Sequence, residues 1–275
     1  MSKDRWVGID FSGNHLEWRP RCGTSNVWIA DVRRARAGLH LHDVRRVQQL
    51  AGSGDPFSRL AALLAAGGYQ AAGIDAPFSL PDRYVRRVGG HAALLRLVGS
   101  RAVVARPFIS GGDLVHLVAA RPPPLAPPKP LRDTEACWVG MGVNVRSPLW
   151  NGARPGAPMT AACITLLHRA SRPIWPWSTQ GAGLLVEAFP AAQLRTWGLP
   201  HQGYDGGAAA AVATRRTILR AVSSRLHVGT WSPTLLGSAD ALDAVLCAWA
   251  AIAVSSALTP TSPSAATEGG ILVHP

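Results

Sequence analysis

The sequence predicts an α/β fold, in which short apolar strands and amphipathic helices share one chain. Apolar runs of strand length end at or beside acidic residues at three separate places, and helix-length segments with caps and stops lie between and after them. The chain has 275 residues, of which 47% are hydrophobic and 16% charged. At about 150 residues per domain, it can bury a large core in one large or two small domains.

The first 77 residues predict most of a sheet and one covering helix. The predicted elements are strands over residues 6–11, 26–32 and 38–44, a helix over 56–66 and a strand over 71–74. Residues 6–11 are predicted to form a central strand of the sheet, and the first three strands can form an antiparallel meander. Asp55 can cap the helix, and Gly67 lies at its end. The strand over 71–74 ends in Asp75 and is stopped by Pro77.

Residues 81–180 are predicted to be an insertion, rich in proline, glycine and tryptophan, that shapes a substrate site. Residues 80–98 are helical in pattern and strongly basic. The proline-dense stretch at 121–130 is expected to run over the surface in an extended form. From residue 132 to 177, glycine, proline and tryptophan indicate irregular structure around one short helix at 159–168.

Regular structure is predicted to resume near residue 183. The predicted elements are a strand over 183–189, a short helix over 190–197, a helix over 208–226 and a last helix over 240–258. Arg215 and the other arginines of the 208–226 helix are expected largely on its polar side. Ser238 can cap the last helix. A linker of Pro, Ser and Thr over 259–267 then leads to the terminal segment.

The formal charge is +12, and arginine supplies nearly all of the positive charge. Only Lys3 and Lys129 among the 28 basic residues are lysines. Because a guanidinium group binds phosphate bidentately, the surplus fits a polyanionic partner such as nucleic acid. A biased genome composition accounts for the same surplus equally well, so charge alone does not decide between them.

Several classes of protein are disfavoured by composition. The four cysteines lie far apart with no Cys-x-x-Cys pair, which argues against a zinc knuckle or a dense disulfide framework and predicts isolated buried thiols. The N-terminus lacks the features of a signal peptide. The longest apolar run, 244–258, is shorter than the ~20 residues that cross a bilayer. We therefore expect a cytoplasmic protein with no membrane partner.

Acidic residues are scarce, and five of them lie where a functional site can form. Asp10 and Asp75 end apolar strands, where an unpaired buried carboxylate costs several kcal/mol, so a cation is expected nearby. Asp240 and Asp243 lie three residues apart on the last predicted helix and can converge on one point. Glu187, at the end of another apolar strand, is the fifth candidate.

Clustered carboxylates without Cys or His partners suit a hard cation, Mg²⁺ or Mn²⁺. Two such ions about 4 Å apart activate a water and stabilise the leaving oxygen in phosphodiester hydrolysis. For each residue taken alone, the alternative is a helix cap or an ion pair. That alternative is strongest for Asp240, which lies in the first turn of its helix.

The order and spacing of these motifs resemble the RNase H-like nuclease superfamily. The segments GIDFSG (8–13) and ADALDA (239–244) are similar to the first and last motifs of its Holliday-junction resolvase branch. The chain also resembles the predicted RNase H-like nucleases called domain of unknown function 429. The segments that carry this second resemblance are GIDAP (73–77), VEAFP (186–190), DALDA (240–244) and EGGI (268–271).

The resemblance spans nearly the whole chain and has consequences for fold and site. It implies a single RNase H-like domain over residues 1–275, with a five-stranded mixed sheet flanked by helices. It also implies catalysis by a set of carboxylates that hold Mg²⁺ or Mn²⁺, with Glu187 as either a further ligand or a structural residue. The implied catalytic and metal-binding set is Asp10, Asp75, Asp240 and Asp243.

Four further residues are candidates for contacts with a substrate. Ser12 and Gly13 form the turn after the first strand. Arg132 either holds a substrate phosphate or is an ordinary surface arginine. Glu268 either closes the site from the C-terminus or pairs with an arginine.

The leading functional hypothesis is a metal-dependent nuclease that cleaves DNA or RNA by a two-metal-ion mechanism. One alternative is a phosphotransferase related to sugar kinases and actin-like ATPases, although a second glycine-rich phosphate-binding turn is missing from the sequence. The other is a nucleic-acid-binding relative without catalysis. A two-fold symmetric substrate would require a homodimer.

Overall fold

A computed structural model describes residues 4–101, 103–119, 129–254 and 264–275. Five strands form one mixed sheet, and helices pack against both of its faces. The strands are β1 (Arg5–Asp10), β2 (Trp28–Ala35), β3 (Gly38–Arg46), β4 (Ala71–Ile74) and β5 (Leu184–Glu187). This arrangement confirms the predicted α/β class and the five-stranded mixed sheet flanked by helices.

The strand order, β3-β2-β1-β4-β5, places β1 at the centre of the sheet. The predicted meander is confirmed, because β1 pairs antiparallel with β2 and β2 pairs antiparallel with β3. Both β4 and β5 run parallel to β1, and Ile9, Ile74 and Glu187 lie side by side in register. The carboxyl ends of three parallel strands therefore meet at one edge of the sheet.

The helices lie between and after the strands. Those within the described residues are α1 (Pro56–Ala66), α2 (Asp82–Arg87), α3 (His91–Gly99), α4 (Gly111–Val118), α5 (Asp133–Gly140), α6 (Ala157–Ala170), α7 (Pro190–Thr196), α8 (Ala209–Ser223), α9 (Ser232–Gly237), α10 (Ala239–Ala253) and α11 (Ala265–Glu268). Across the part of the chain that the structure describes, none of these helices has both the length and the apolar character needed to span a membrane.

Alternation along the strands divides the core into two layers. Trp6 and Ala71 lie in the layer that the helices α8 and α10 cover, whereas Val7 and Ile9 lie in the opposite layer, under α1 and α6. A third apolar cluster joins α3, α4 and α6 within the predicted insertion. Helix α6 therefore connects the insertion to the sheet.

Local helix signals are confirmed where the predicted cap is present. Helix α1 has the predicted bounds, and the Asp55 carboxylate accepts a hydrogen bond from the Ser58 N–H at 2.9 Å. Gly67 ends that helix in the left-handed conformation, with φ of 62°. Ser238 caps α10 as predicted, because its hydroxyl accepts a hydrogen bond from the Ala241 N–H at 3.2 Å.

Other boundaries in the insertion differ from the prediction. The single helix expected over 80–98 is two helices, α2 and α3, separated by Gly89 and Gly90 with φ of 90° and 97°. Helices α4 and α5 were not predicted. Helix α5 escapes pattern analysis because only Glu135 and Trp138 are buried along it. Most of the predicted extended stretch, residues 121–128, lies outside the described residues. So do residues 255–263, where the end of the last helix and most of the linker were predicted.

The four cysteines are free thiols, but they are not all buried. Cys163 and Cys247 are buried as predicted, and Cys22 is partly buried. The prediction is wrong for Cys137, which lies exposed on α5. Its helix is short and packs through Trp138, so that the cysteine faces solvent.

Two strand glycines seat helix α10 directly on the sheet backbone. A Cβ atom at Gly8 would lie 1.9 Å from the carbonyl oxygen of Ala244, and one at Gly73 would lie 2.0 Å from that of Cys247. Both glycines alternate onto the α10 face of the sheet. The close approach brings the first turns of α10 to the carboxyl ends of β1 and β4.

We expect Gly73→Ala to lower the free energy of unfolding by about 1–3 kcal/mol, because the added methyl group must push α10 away from β4. Gly23→Ala is the matched control, since a Cβ atom there has no atom within 4 Å. Urea unfolding of both variants measures the difference. Equal stabilities would mean that this helix contact tolerates an added methyl group.

Candidate functional site

Asp10 and Asp75 meet at the ends of neighbouring parallel strands. Asp10 is the last residue of β1. Asp75 directly follows β4, and its N–H donates a hydrogen bond to the Ile9 carbonyl at 3.0 Å. Alternation from Gly8 and Gly73 places both aspartates on the sheet face that α10 covers. The structure therefore brings these two predicted residues together.

Asp240 and Asp243 reach the same place from the start of α10. Both lie within the first two turns of a helix whose Ser238 cap fixes where it begins. Together with Asp10 and Asp75, they line one cleft. The four predicted catalytic carboxylates are thus assembled around a common space, although they are separated by up to 233 positions in the chain.

The cleft lies between the sheet edge and the insertion. Its volume is about 1480 Å³, larger than the ~300–1,000 Å³ of an ordinary small-molecule pocket. Its sheet side is formed by the loops after β1 and β4 and by the start of α10. Segments within 106–112 and 144–159 of the predicted insertion and the loop 201–205 also line the cleft.

Burial and mutual repulsion disfavour the ionised form of these carboxylates. Burial raises the pKa of Asp10 well above its ordinary value, and the charges of Asp243, Asp75 and Asp240 raise it further. The pKa of Asp243 is raised chiefly by burial and then by Asp75. Burial also raises the pKa of Asp75 to about 7, although Arg146 partly offsets the shift. The pKa of Asp240 is raised by burial and by Asp205.

The cation predicted beside Asp10 is not found among the described residues. Within those residues, none of the four carboxylates has an arginine, lysine or histidine nitrogen within 4.0 Å. Arg146 acts on Asp75 only at longer range. Within the described residues, the ionised form of these carboxylates therefore has no cation of the protein at short range.

The donor set fits a hard divalent cation in chemistry, because it consists of carboxylates with unneutralised charge. In the described ranges, however, no group of three or more His, Cys, Asp or Glu side chains stands ready to hold a metal ion. Binding would therefore require the side chains of Asp10, Asp75 and Asp243 to turn toward a shared point.

The sequence left two roles open for Glu187, a metal ligand or a structural residue, and its contacts favour the structural role. Its Oε2 accepts hydrogen bonds from the Phe78 N–H at 3.0 Å and from Arg132 Nη1 at 2.8 Å, and its Oε1 accepts from Arg132 Nη2. Glu187 is level with Ile74, one residue before Asp75, so its side chain leaves the opposite face of the sheet. These contacts do not favour the predicted metal-ligand role.

The two interpretations of Arg132 are both corrected. Its side chain is 0% exposed, so it is not a surface arginine and does not face a substrate. Its guanidinium donates to Glu135 Oε1 at 2.9 Å, to Glu187 and to the Glu268 carbonyl at 3.1 Å. The buried cation is therefore fully engaged by the protein itself, as a buried charge must be.

Glu268 neither lines the cleft nor binds an arginine through its carboxylate. It is buried, and its oxygens accept the Asp82 N–H at 2.6 Å and the Asp133 N–H at 2.8 Å. These are the first residues of α2 and α5, so one carboxylate caps two helices. The predicted role in closing the site is replaced by a role in fixing the insertion to the C-terminal segment.

Ser12 and Gly13 both line the cleft, as expected for residues that follow Asp10. The Ser12 hydroxyl accepts a hydrogen bond from the Asn14 N–H at 3.2 Å, which shapes the turn. A Cβ atom at Gly13 would lie 2.2 Å from the Met159 nitrogen, so glycine is needed where this turn meets the start of α6. Their contact with a substrate stays a prediction.

Sequence reasoning missed the loop that flanks Asp243. The Tyr204 hydroxyl donates to Asp243 Oδ1 at 2.9 Å, and the neighbouring Asp205 adds another carboxylate to the cleft lining. Arg215 holds this loop, donating to the carbonyls of Tyr204 and Gly206. Arg215 is 2% exposed, so its predicted place on a polar helix face is wrong. Because acidic residues are scarce in this sequence, Asp205 could have been considered as a candidate site residue.

Comparison with known proteins supports a family but no activity. Residues 153–267 match the model of a family described as "Protein of unknown function (DUF429)", which supports over those residues the resemblance to domain of unknown function 429 and does not bear on the resemblance to RNase H-like nucleases. The match includes Asp240 and Asp243 but not Asp10 or Asp75. No curated protein and no solved structure matches the chain.

Proposed function

We propose that this protein is a metal-dependent nuclease that hydrolyses phosphodiester bonds of DNA or RNA in the carboxylate cleft. The observation that carries the proposal is the gathering of four aspartates around one space without a short-range cation among the described residues. Keeping such charges close together costs folding free energy. A binding role for a divalent cation accounts for that cost.

Each of the aspartates has a distinct place in the proposed reaction. Asp10, Asp75 and Asp243 would hold Mg²⁺ or Mn²⁺, with Asp240 beside them. When bound, such an ion activates a water and stabilises charge on the phosphate oxygens. Tyr204 orients Asp243 through its 2.9 Å hydrogen bond. The buried sheet edge keeps bulk water away from Asp10, which is 8% exposed.

The dimensions and charge of the cleft support a nucleic-acid substrate over a small phosphate ester. The cleft volume of about 1480 Å³ exceeds that of an ordinary small-molecule pocket, so the cleft can accommodate a ligand larger than a small phosphate ester. The net charge of +12 favours approach of a polyanion despite the acidic cluster.

The proposal is tested by titrating Mg²⁺ and Mn²⁺ into the protein by calorimetry and incubating it with labelled single- and double-stranded DNA and RNA. We expect the metal ions to bind and at least one nucleic acid to be cleaved, with EDTA stopping cleavage. Asp10→Asn should weaken metal binding at least about tenfold and abolish cleavage. Asp4→Asn, at an exposed carboxylate, is the matched control and should behave as the unchanged protein.

The other outcomes identify the alternatives. Cleavage that persists in Asp10→Asn places the active site elsewhere. Nucleic-acid binding that ignores EDTA, without cleavage of any substrate, indicates a binding protein whose carboxylates are structural. Calorimetric binding of ATP in the absence of nucleic acid indicates a phosphotransferase of the actin-like or sugar-kinase type.

A further inference from the structure

Four basic side chains from the predicted insertion line the cleft and form a basic wall. Apart from Glu135, which Arg132 neutralises, the acidic lining residues lie outside the segment that supplies these basic residues. The cleft lining is therefore divided by charge between two parts of the chain, with the basic residues in the insertion and the aspartates in the sheet loops, the 201–205 loop and α10. The basic wall consists of Arg106, Lys129, Arg146 and Arg154.

The charges of the basic wall are available to a ligand. All four residues are exposed, and within the described part of the chain none has a carboxylate within 4.0 Å. Lys129 rests on the ring of Trp150, with its Nζ 4.4 Å from the ring centroid. Basic residues without acidic partners, concentrated along one side of a cleft, are typical of a phosphate-binding surface.

The backbone at this wall is held in an uncommon conformation. Of the three described non-glycine residues with positive φ, Arg154 at 53° belongs to the wall and Ala105 at 61° directly precedes Arg106. The third, Ser171, has the ordinary left-handed conformation of a helix end. Strained non-glycine residues collect at sites that position functional side chains. Here they position two of the three wall arginines.

Arg146 links the wall to the acidic cluster. Both residues line the cleft, and the charge of Arg146 lowers the pKa of Asp75 without an ion pair being formed. A phosphate bound in the cleft can therefore contact the arginine and approach the carboxylates.

We propose that the basic wall binds the sugar-phosphate backbone of a single-stranded nucleic acid and thereby holds the scissile phosphate over the aspartates. This inference rests on the proposed function and specifies its substrate. A duplex presents its phosphates on the outside of a stiff cylinder, which suits a shallow surface. The aspartates lie instead at the floor of a cleft, with Asp10 almost fully buried, and a flexible single strand can enter it.

The test measures binding in EDTA, so that it does not depend on cleavage. Anisotropy of a labelled single-stranded DNA, the same sequence as RNA and the matching duplex is followed through a salt series. The wall variant carries Arg106→Gln, Arg146→Gln and Arg154→Gln. The charge-matched control carries Arg36→Gln, Arg216→Gln and Arg220→Gln, which are exposed and outside the cleft lining.

We expect the single-stranded DNA and the single-stranded RNA each to bind at least about tenfold more tightly than the duplex. The wall variant should lose about 10–100-fold in affinity, and its slope of log K against log salt should fall by about 2, since each phosphate contact on a single strand contributes about 0.7. The control should keep its slope. Replacing the same three wall arginines with lysine should also keep it, because the charge remains.

Three results would overturn the inference: equal losses in the wall variant and the control, binding of the duplex as tight as that of the single strand, or no binding of any nucleic acid. Its failure is distinct from failure of the proposed function. A protein that binds through the wall but cleaves nothing keeps this inference and loses the nuclease. A protein that cleaves, and whose wall variant binds normally, loses this inference alone.

Discussion

We expect Asp75→Asn to abolish nucleic-acid cleavage while making the metal-free protein more stable. Loss of one ligand charge should slow cleavage by at least about 10³-fold, equivalent to about 4 kcal/mol of transition-state stabilisation. The same change removes a carboxylate that burial and Glu187 disfavour in its ionised form. A residue retained at a cost in stability is typical of a functional site.

The gain in stability should depend on pH in a defined direction. The pKa of Asp75 is raised from 3.8 to about 7 in the folded protein. Between these values the unfolded chain releases the proton and the folded chain keeps it, so stability falls as pH rises through this window. In EDTA at pH 8, Asp75→Asn should therefore be more stable on the order of 2–4 kcal/mol. Near pH 4 the difference should vanish.

Urea unfolding of both proteins at pH 4, 6 and 8 in EDTA measures this dependence. Asp4→Asn, which changes an exposed carboxylate, is the matched control and should leave the pH profile unchanged. Adding Mg²⁺ at pH 8 should stabilise the original protein and have little effect on Asp75→Asn. A variant that is less stable at pH 8 would show that the Asp75 charge contributes to folding, which contradicts the expected cost.

The central sheet was predictable because its signals are local. The strand β4 and the helix α1 are bounded by Asp75, Pro77, Asp55 and Gly67, whose chemistry ends or starts an element directly. Strand β2 runs further than predicted toward the turn before Gly38, and β3 runs further at its other end, through Arg45 and Arg46, because their pairing continues through polar residues. Hydrophobic patterning does not detect pairing between polar strand ends.

The aspartate cluster was also predictable, but Glu187 shows where sequence reasoning stops. Asp10, Asp75 and Glu187 all stand at the ends of apolar strands, and parallel strands end at a common edge. Which face each side chain takes depends on the register, and a shift of one residue reverses it. The sequence does not contain the register, so Glu187 was grouped with side chains from the opposite face.

The buried arginines were beyond reach for a different reason. Arg132 meets Glu187 across 55 positions and the Glu268 carbonyl across 136, in a segment without hydrophobic periodicity. For Arg215, helical periodicity assigns the side chain to the polar face of its helix, but it does not show which other segment of the chain covers that face. Arg215 donates at 2.8 Å to the carbonyl of Leu236, which lies in helix α9, and that helix was not predicted.

We expect Arg132→Met to destabilise the protein by about 3–5 kcal/mol, because it leaves two buried carboxylates without their cation. Glu135 and Glu187 are both buried, and Arg132 is their shared ion-pair partner among the described residues. The variant should also loosen the C-terminal segment, since the Glu268 carbonyl loses its donor. Urea unfolding at pH 7 measures the loss, and Arg33→Met is the control.

The Arg33 side chain is partly exposed and pairs with the buried Asp31, which keeps a second partner in Arg5. Replacing Arg33 with methionine should therefore cost no more than about 1 kcal/mol.

If the loss of stability in Arg132→Met arises from unpaired charge, then adding Glu135→Gln and Glu187→Gln to that variant should recover most of the lost stability. A triple variant as unstable as Arg132→Met would instead assign the penalty to lost packing. Because α5 leads into the segment that carries Arg146, the single variant should also weaken single-strand binding.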